Sequence, residues 1–238
     1  MTNTEPRNPF TKRGFIAAAI VVGVILLAAL IVLVTSLTRP STNDATPTGT
    51  PSPTAAPTEN ADDASVCGLP GFDIENTLTA TLDTKWELVG TIAAPTDSTG
   101  AGPGTIDNEF RSCYAHTAKG ALYMAANFIA MGTDSTFGPR MTELVAPGPG
   151  RDAAAEKSNT STSSPRAQLA GFKIGSYSAE ESMVDLVLNY SDGSLVSIPL
   201  KLVWTEGDWK VQLTDAGEPP LAPAQLENLG GYTPWSGA

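Results

Sequence analysis

The sequence predicts an α+β protein: one transmembrane helix, a linker, and then helices packed on a curved, cone-like antiparallel sheet. Three observations carry this prediction: an uncharged apolar run near the start, a Pro/Thr-rich stretch after it, and a change from helical to alternating hydrophobic spacing near Gly171. They divide the chain into a cytoplasmic tail (1–13), a transmembrane helix (14–38), a linker (39–66) and an extracytoplasmic α+β domain (67–238).

The apolar run extends from Gly14 to Thr38 and holds no charged residue over 25 positions. A bilayer core needs about 20 such residues, so this run is long enough to span one. A cleaved signal peptide is the alternative, since "VTS" at 34–36 offers small residues near a cleavage point. Signal-peptide apolar regions are only about 7 to 15 residues long, however, which favours an uncleaved anchor.

The charges that flank this run predict its orientation. Arg7, Lys12 and Arg13 precede it against Glu5 alone, and only Arg39 follows closely. Because positive flanks stay inside, we expect a single-pass protein of the cell membrane with a cytoplasmic N-terminus.

The part of the chain after Arg39 is acidic, with ten Lys/Arg against 24 Asp/Glu, a net charge of −14. Nucleic acids and anionic lipid head groups both require a basic patch, so this charge excludes them as partners. Residues 40–64 consist almost wholly of small, polar and proline residues. They cannot form a packed core and are predicted to be a spacer.

Helical and extended segments begin the outer domain. "KWELVGTIA" at 85–93 predicts a first strand, and Thr117 is placed to cap a helix over the apolar stripe that follows it. A second helix is predicted at 134–145, bent or delayed by Gly138-Pro139. Residues 147–168 are predicted to form a polar loop with at most a short helix at 153–157.

From Gly171 onward, apolar residues alternate with polar ones, which predicts a four-strand antiparallel meander with one buried face. A two-residue turn at Glu206-Gly207 pairs Trp204 with Trp209 on that face and puts Asp208 on the opposite face. A three-residue loop at 191–193, with Gly193 in the left-handed conformation, keeps the neighbouring apolar faces aligned. Pro199 lacks an N–H and faces away from the apolar set, which predicts an outer strand edge or a bulge.

Four aromatic residues are candidates for a partner or ligand surface: Trp204, Trp209, Trp235 and Tyr232. The first two are more simply interpreted as core partners across a hairpin, although a curved sheet can hold a ligand against its concave face. The tail that carries the other two could equally be an unstructured end.

The two cysteines, Cys67 and Cys113, both fall on the predicted outer side, where disulfides persist. A bridge between them would stabilise the fold by about 4 kcal/mol through chain entropy. Two unpaired buried thiols are the alternative. Two distant cysteines and one histidine do not make a zinc site, so we expect no metal.

Catalytic signatures are missing from the sequence. The single histidine, His116, precedes a helix, and neither a nucleophile elbow nor a phosphate-binding loop occurs. The paired acids Asp62-Asp63 and Glu180-Glu181 fall in the spacer and in a turn. We therefore expect no enzyme activity, no catalytic residues and no cofactor.

A helical segment followed by a curved meander ending in "WTEGDWKVQL" resembles the cone-shaped domains related to nuclear transport factor two. Residues 102–126, "GPGTIDNEFRSCYAHTAKGALYMAA", and the ending "LENLGGYTPWSGA" resemble single-pass proteins of actinobacterial conjugative elements and prophages. The resemblance covers about residues 85–238. It implies an extracytoplasmic accessory to a conjugation or secretion apparatus, akin to the bitopic assembly factors of type IV secretion channels.

These observations give one expected function and two alternatives. We expect a membrane-anchored scaffold whose partners are proteins of the membrane or envelope, a second copy of itself included. The first alternative is a module that holds an apolar or cell-wall-derived ligand inside the cone. The second is a dehydratase or isomerase, for which only His116 and Asp107 are remotely placed. A filled interior would favour the scaffold, and a large polar pocket the other two.

Overall fold

The computed structural model describes residues 64–78, 80–157 and 166–237. All of them fall within the unit 56–238. The predicted transmembrane helix, the predicted cytoplasmic tail and most of the predicted linker lie outside the described residues. Among the described residues, no helix is both long and apolar enough to cross a membrane.

The elements alternate between small hairpins, helices and one large sheet. The strands are β1 (Lys85–Val89), β2 (Ile92–Thr96), β3 (Thr105–Asp107), β4 (Phe110–Ser112), β5 (Ala167–Tyr177), β6 (Glu181–Tyr190), β7 (Leu195–Thr205), β8 (Asp208–Val211), β9 (Ala224–Leu226) and β10 (Thr233–Pro234). The helices are α1 (Ala118–Met131), a 3₁₀ helix (Ser135–Leu144) and α2 (Pro149–Lys157).

The large sheet has the order β10-β5-β6-β7-β8, with β9 also pairing β7. All of its pairings are antiparallel. The α+β class and the antiparallel meander β5 to β8 are therefore confirmed. Two register shifts in β5, at Leu169/Gly171 and at Ile174/Ser176, bend that strand.

Both predicted turns of the meander are confirmed. Leu188 lies opposite Val196 across a loop in which Gly193 has a φ of 84°. Trp204 lies opposite Trp209, and the two turn residues Glu206 and Gly207 both have positive φ. A turn with two left-handed residues matches the twist of the flanking strands, which is why this hairpin needs only two.

Pro199 lies at an open stretch of β7. On the side away from β6, β9 pairs with Leu195–Ser197 and β8 with Leu202–Thr205. Between them, residues 198–200 have no strand partner on that side within the described part of the chain. A residue without an N–H fits this position because no ladder bond is lost. Pro199 thus lies at a short open stretch of an inner strand, rather than on an outer strand or at a bulge.

Two predictions about the helical half were wrong in detail. Residues 85–93 form a hairpin rather than one strand, because Gly90 takes a left-handed φ of 58° and turns β1 into β2. In the polar segment 147–168 the helix is longer than predicted, since α2 occupies Pro149–Lys157, and β5 begins at Ala167, four residues earlier than expected. The predicted second helix exists as a 3₁₀ helix, whose interior Pro139 cannot donate an α-helical bond.

Helix α1 packs its buried side chains against β2 and the large sheet. Thr117 caps it by accepting a bond from the N–H of Gly120, as predicted. The small residues Ala121, Ala125 and Ala130 are fully buried, which lets the helix backbone approach the sheet closely. The centre of the core is aromatic; its largest fully buried members are Trp209, Tyr114, Tyr123, Phe110 and Phe172.

Candidate functional site

The hairpin tryptophans belong to the core rather than to a surface. Trp209 is fully buried and donates its Nε1–H to the carbonyl oxygen of Ala115 at 3.0 Å. Trp204 meets it edge to face, with ring centroids 5.4 Å apart, and stays partly exposed. The prediction that Trp209 belongs to a partner or ligand surface was therefore wrong, because Ala115, at the end of the connection from β4 to α1, covers its ring.

His116 is held between aromatic rings. Its ring stacks on Trp204 with centroids 3.7 Å apart, meets Phe72 edge-on at 4.9 Å, and places Nε2 2.5 Å from the carbonyl oxygen of Ala179. Only 2% of the residue is exposed. Asp107, the other residue considered for catalysis, lies on exposed β3 and forms an ion pair with Arg140 at 3.0 Å.

The tip of the same hairpin is fixed to two distant segments. Cys67 and Cys113 form a disulfide, with Cα atoms 6.2 Å apart, so the predicted pairing is confirmed. The N–H of Val66 donates to the carbonyl oxygen of Gly207 at 2.8 Å. The folded domain therefore begins slightly before the expected boundary at residue 67.

Asp208 joins these segments as a buried hydrogen-bond acceptor. Its carboxylate accepts the backbone N–H groups of Cys113 at 3.0 Å, Tyr114 at 2.8 Å and Trp209 at 2.9 Å. Burial raises the pKa of Asp208, against the opposing effects of Lys210 and of those N–H groups. Strand alternation had placed Asp208 on the solvent side; that was wrong, because residues 113–114 cover the hairpin tip.

The C-terminal segment folds back onto both faces of the sheet. Strand β10 pairs with Gly171 and Phe172 of β5, and Trp235 enters the core beside Trp86, with ring centroids 4.7 Å apart. Trp235 is only 3% exposed and donates Nε1–H to Thr84 at 2.8 Å. The alternative of an unstructured tail was wrong, and so was a surface role for Trp235.

Tyr232 is fixed on the outer face of the sheet. Its hydroxyl donates to Asp185 at 2.7 Å, and the other oxygen of that carboxylate accepts from Ser197, also at 2.7 Å. Burial is the largest cause that raises the pKa of Tyr232, and Asp185 adds to it. Of the four predicted surface aromatics, Tyr232 and Trp204 keep partial exposure.

The space between α1 and the sheet is filled by side chains. Leu122, Tyr123 and Met124 from the helix are fully buried against residues such as Leu186 and Leu202 of the sheet. An apolar cleft of about 220 Å³ opens at one end, lined by Phe128 and Ile129 of α1 and by sheet residues that include Leu188 and Ile198.

A larger cleft, of about 330 Å³, lies between β1 and the β3–β4 hairpin. Its floor contains Arg111, which is 6% exposed and forms an ion pair with Glu87 at 2.5 Å. Leu88 and Ile106, 74% and 50% exposed, both line it. Sequence reasoning missed this cleft because it read 85–93 as one strand. The Asn108-Glu109 pair, which turns β3 into β4, was the available signal.

The described part of the chain has few side chains that are grouped to hold a cofactor or metal ion. Among those residues, no group of three or more His, Cys, Asp or Glu side chains is placed to bind a metal ion. A third cleft, of about 210 Å³, is polar and includes the Lys119–Asp97 ion pair at 3.2 Å.

Comparison with known proteins gives one positive finding. No match to the chain was found among curated proteins or among solved structures. A family profile described as a domain of unknown function, DUF8175, matches residues 46–234. Because that match spans most of the 238 residues, the chain belongs to the DUF8175 family.

Proposed function

We propose that the protein is a membrane-anchored, extracytoplasmic scaffold component of a conjugative transfer or secretion apparatus. The observation that carries this proposal is the filled interior. Tyr123, Met124, Trp209 and Trp235 are 3% exposed or less and pack in one hydrophobic core cluster. A domain without room inside acts through its surface, which is how scaffolds work.

Three further features support the cellular setting of the proposal. The uncharged run 14–38 with its basic flank suits a single-pass anchor with the folded domain outside. The Cys67–Cys113 bridge suits an oxidising compartment. One helix packed on a bent antiparallel sheet suits the proposed likeness to domains related to nuclear transport factor two.

The alternative of a ligand-binding module rests on the apolar cleft beside Phe128 and Ile129. Its volume of about 220 Å³ is below the roughly 300 to 1,000 Å³ typical of small-molecule pockets. We therefore rank the scaffold first and keep this cleft as the place where a small apolar ligand would be sought.

Crosslinking of the full-length protein in its native membrane, followed by mass spectrometry, tests the proposal. A photoreactive amino acid replaces one exposed residue at a time, Leu88 or Ile106 on one side and Leu221 elsewhere. Recovery of transfer ATPase or channel subunits supports the scaffold and shows which surface carries them. Recovery of none of them from any position contradicts it.

A further inference from the structure

Strand β1 has an open edge. Among the described residues its one strand partner is β2, and the register places Val89 opposite Ile92 across the two-residue turn Gly90-Thr91. In such a hairpin the pair next to the turn is hydrogen-bonded, and bonded and non-bonded pairs then alternate. Leu88 and Trp86 therefore fall in non-bonded pairs and direct their backbone N–H and C=O groups away from β2.

Two contacts on β2 confirm this alternation. The N–H of Ala93, opposite Leu88, points outward and donates to the side chain of Gln168 at 3.3 Å. The carbonyl oxygen of Pro95, opposite Trp86, points outward and accepts from Asn127 at 3.0 Å. Strand β2 thus satisfies its outward groups within the domain. No described residue does the same for Leu88 and Trp86 of β1.

The cleft beside this edge has apolar walls. Leu88 is 74% exposed on β1, and Ile106 is 50% exposed on β3 across the same cleft. An exposed strand edge with apolar side chains beside it is the arrangement to which an extended segment adds as a further strand. Main-chain bonds to β1 would hold such a segment, and its apolar side chains would contact Leu88 and Ile106.

The accessible charge around the cleft is acidic. Among the described residues that line it, Arg111 is the one cation; it is buried and forms an ion pair with Glu87, whose side chain stays 51% exposed. Glu109 is exposed as well, so the lining carries two carboxylates against one guanidinium. The neighbouring Asp107, 60% exposed, is paired with Arg140 and adds no net charge. An incoming strand with basic side chains would find acceptors for them here, whereas an acidic strand would be repelled.

We infer that the cleft between β1 and the β3–β4 hairpin binds an extended segment of a partner protein in which basic and apolar residues alternate. The segment pairs with β1 at Trp86 and Leu88. Its apolar residues contact Leu88 and Ile106, and its basic residues face Glu87 and Glu109. This inference rests on the proposed scaffold function, because it names the partner chemistry that one surface of the scaffold accepts.

A second copy of this chain fits the edge less well. Pairing two β1 edges with Leu88 opposite Trp86 of the other copy sets Glu87 opposite Glu87, and directly opposed like charges are destabilising. The chain after Arg39 also carries a net charge of −14, so two copies repel each other.

Fluorescence anisotropy with full-length protein in detergent micelles tests the inference. The probes are labelled peptides of about nine residues, within the usual range of strand lengths. One alternates Lys and Val, and the other alternates Glu and Val. The Lys-Val peptide is expected to bind at least about tenfold more tightly than the Glu-Val peptide, and its affinity should fall as salt rises.

Two variants separate edge pairing from simple charge attraction. Leu88→Pro removes a backbone N–H that points away from β2, so the hydrogen bonds between β1 and β2 are kept. The same N–H would bond to the peptide, so the affinity for the Lys-Val peptide should fall about tenfold or more. Leu88→Lys, at a position 74% exposed, keeps the fold and should weaken the same peptide by repulsion. Leu221→Pro, at another exposed apolar residue, is the matched control and should bind as the parent does.

Each result decides the matter. Three results would overturn the inference. The two peptides could bind equally well, the Lys-Val peptide could fail to bind, or both Leu88 variants could bind it as the parent protein does. Self-association that Leu88→Lys abolishes, without peptide binding, also overturns it in favour of a second copy. If transfer-channel subunits are still captured in membranes by a protein that binds neither peptide, the scaffold proposal survives without this surface. If the Lys-Val peptide binds but no channel subunit is captured from any position, the scaffold proposal fails and the binding surface stands.

Discussion

The ring of His116 lies parallel to that of Trp204, with 5° between the planes and 3.7 Å between the centroids. This stack closes the hairpin tip over the start of α1. Trp209 meets the His116 ring edge-on at 5.7 Å, and Phe72 meets it at 4.9 Å. The single histidine is thus one side chain of an aromatic cluster.

Replacing His116 with Ala should lower the free energy of unfolding by about 2 to 4 kcal/mol, because a buried ring and its stacking contacts are lost together. His116→Phe, which keeps a ring, should lose clearly less. Urea denaturation followed by tryptophan fluorescence measures both. Equal losses in the two variants would show that the polar contact with Ala179, and not the stack, is what matters.

The buried hydroxyl of Tyr114 leads us to expect that the stability of the protein depends on pH. Tyr114 is fully buried, its hydroxyl has no hydrogen-bond partner among the described residues, and burial raises its pKa well above the usual value. The folded state therefore keeps this proton when the unfolded chain loses it. The corresponding stability is complete below a pH of about 10 and is lost as the pH rises further.

Tyr114→Phe should reduce this alkaline loss and should be neutral or up to about 1 kcal/mol stabilising at neutral pH, since no bond is removed. Thermal melts between about pH 7 and pH 11 measure the effect. Tyr190→Phe, at a partly exposed position, is the control. A marked destabilisation of Tyr114→Phe at neutral pH would mean that the hydroxyl does have a partner.

Asp208 supports the connection between the hairpin tip and residues 113–114. In the native protein, three backbone N–H groups bond to the two carboxylate oxygens of Asp208. Asp208→Asn keeps only one acceptor oxygen, so the free energy of unfolding should fall by about 1 to 3 kcal/mol. Asp192→Asn, on an exposed loop, is the matched control and should change stability by less than about 0.5 kcal/mol. Guanidinium titration compares the two, and equal effects would contradict a special role for Asp208.

The burial of Trp235 predicts that the C-terminal segment contributes to the stability of the fold. Trp235→Ala should cost about 3 to 5 kcal/mol by leaving a cavity beside Trp86, Tyr123 and Phe172. Trp235→Phe should cost less than half of that. Leu221→Ala serves as a control at an exposed residue. A melting temperature unchanged in Trp235→Ala would show that the segment is not docked in solution.

The sheet could be predicted from the sequence because alternation has a period of two, and a slip of one residue would expose a whole apolar face. That argument also predicted the loop at Gly193 and the Trp204–Trp209 pair. It failed for Asp208, since alternation reports only which side of a strand a residue takes. The residues that bury Asp208 lie about 95 positions away in sequence.

The candidate cleft could not be predicted for a related reason. Its walls come from two short hairpins, β1–β2 and β3–β4, whose strands are too brief to show a period. The β10 strand has only two residues, Thr233 and Pro234. Trp235 is recognisable as core only once its contact with β5 is seen. Such tertiary contacts between distant segments leave no local pattern in one sequence.

The disulfide has a mechanical consequence for any chain tethered through its N-terminal side. A pull on the residues before Ala64 first meets the hydrogen bond from the N–H of Val66 to the carbonyl oxygen of Gly207, and then the covalent bridge from Cys67 to Cys113. The bridge encloses residues 68–112, which include the β1–β2 and β3–β4 hairpins. A pull from that side therefore cannot draw these hairpins out into an extended chain while the bridge is intact.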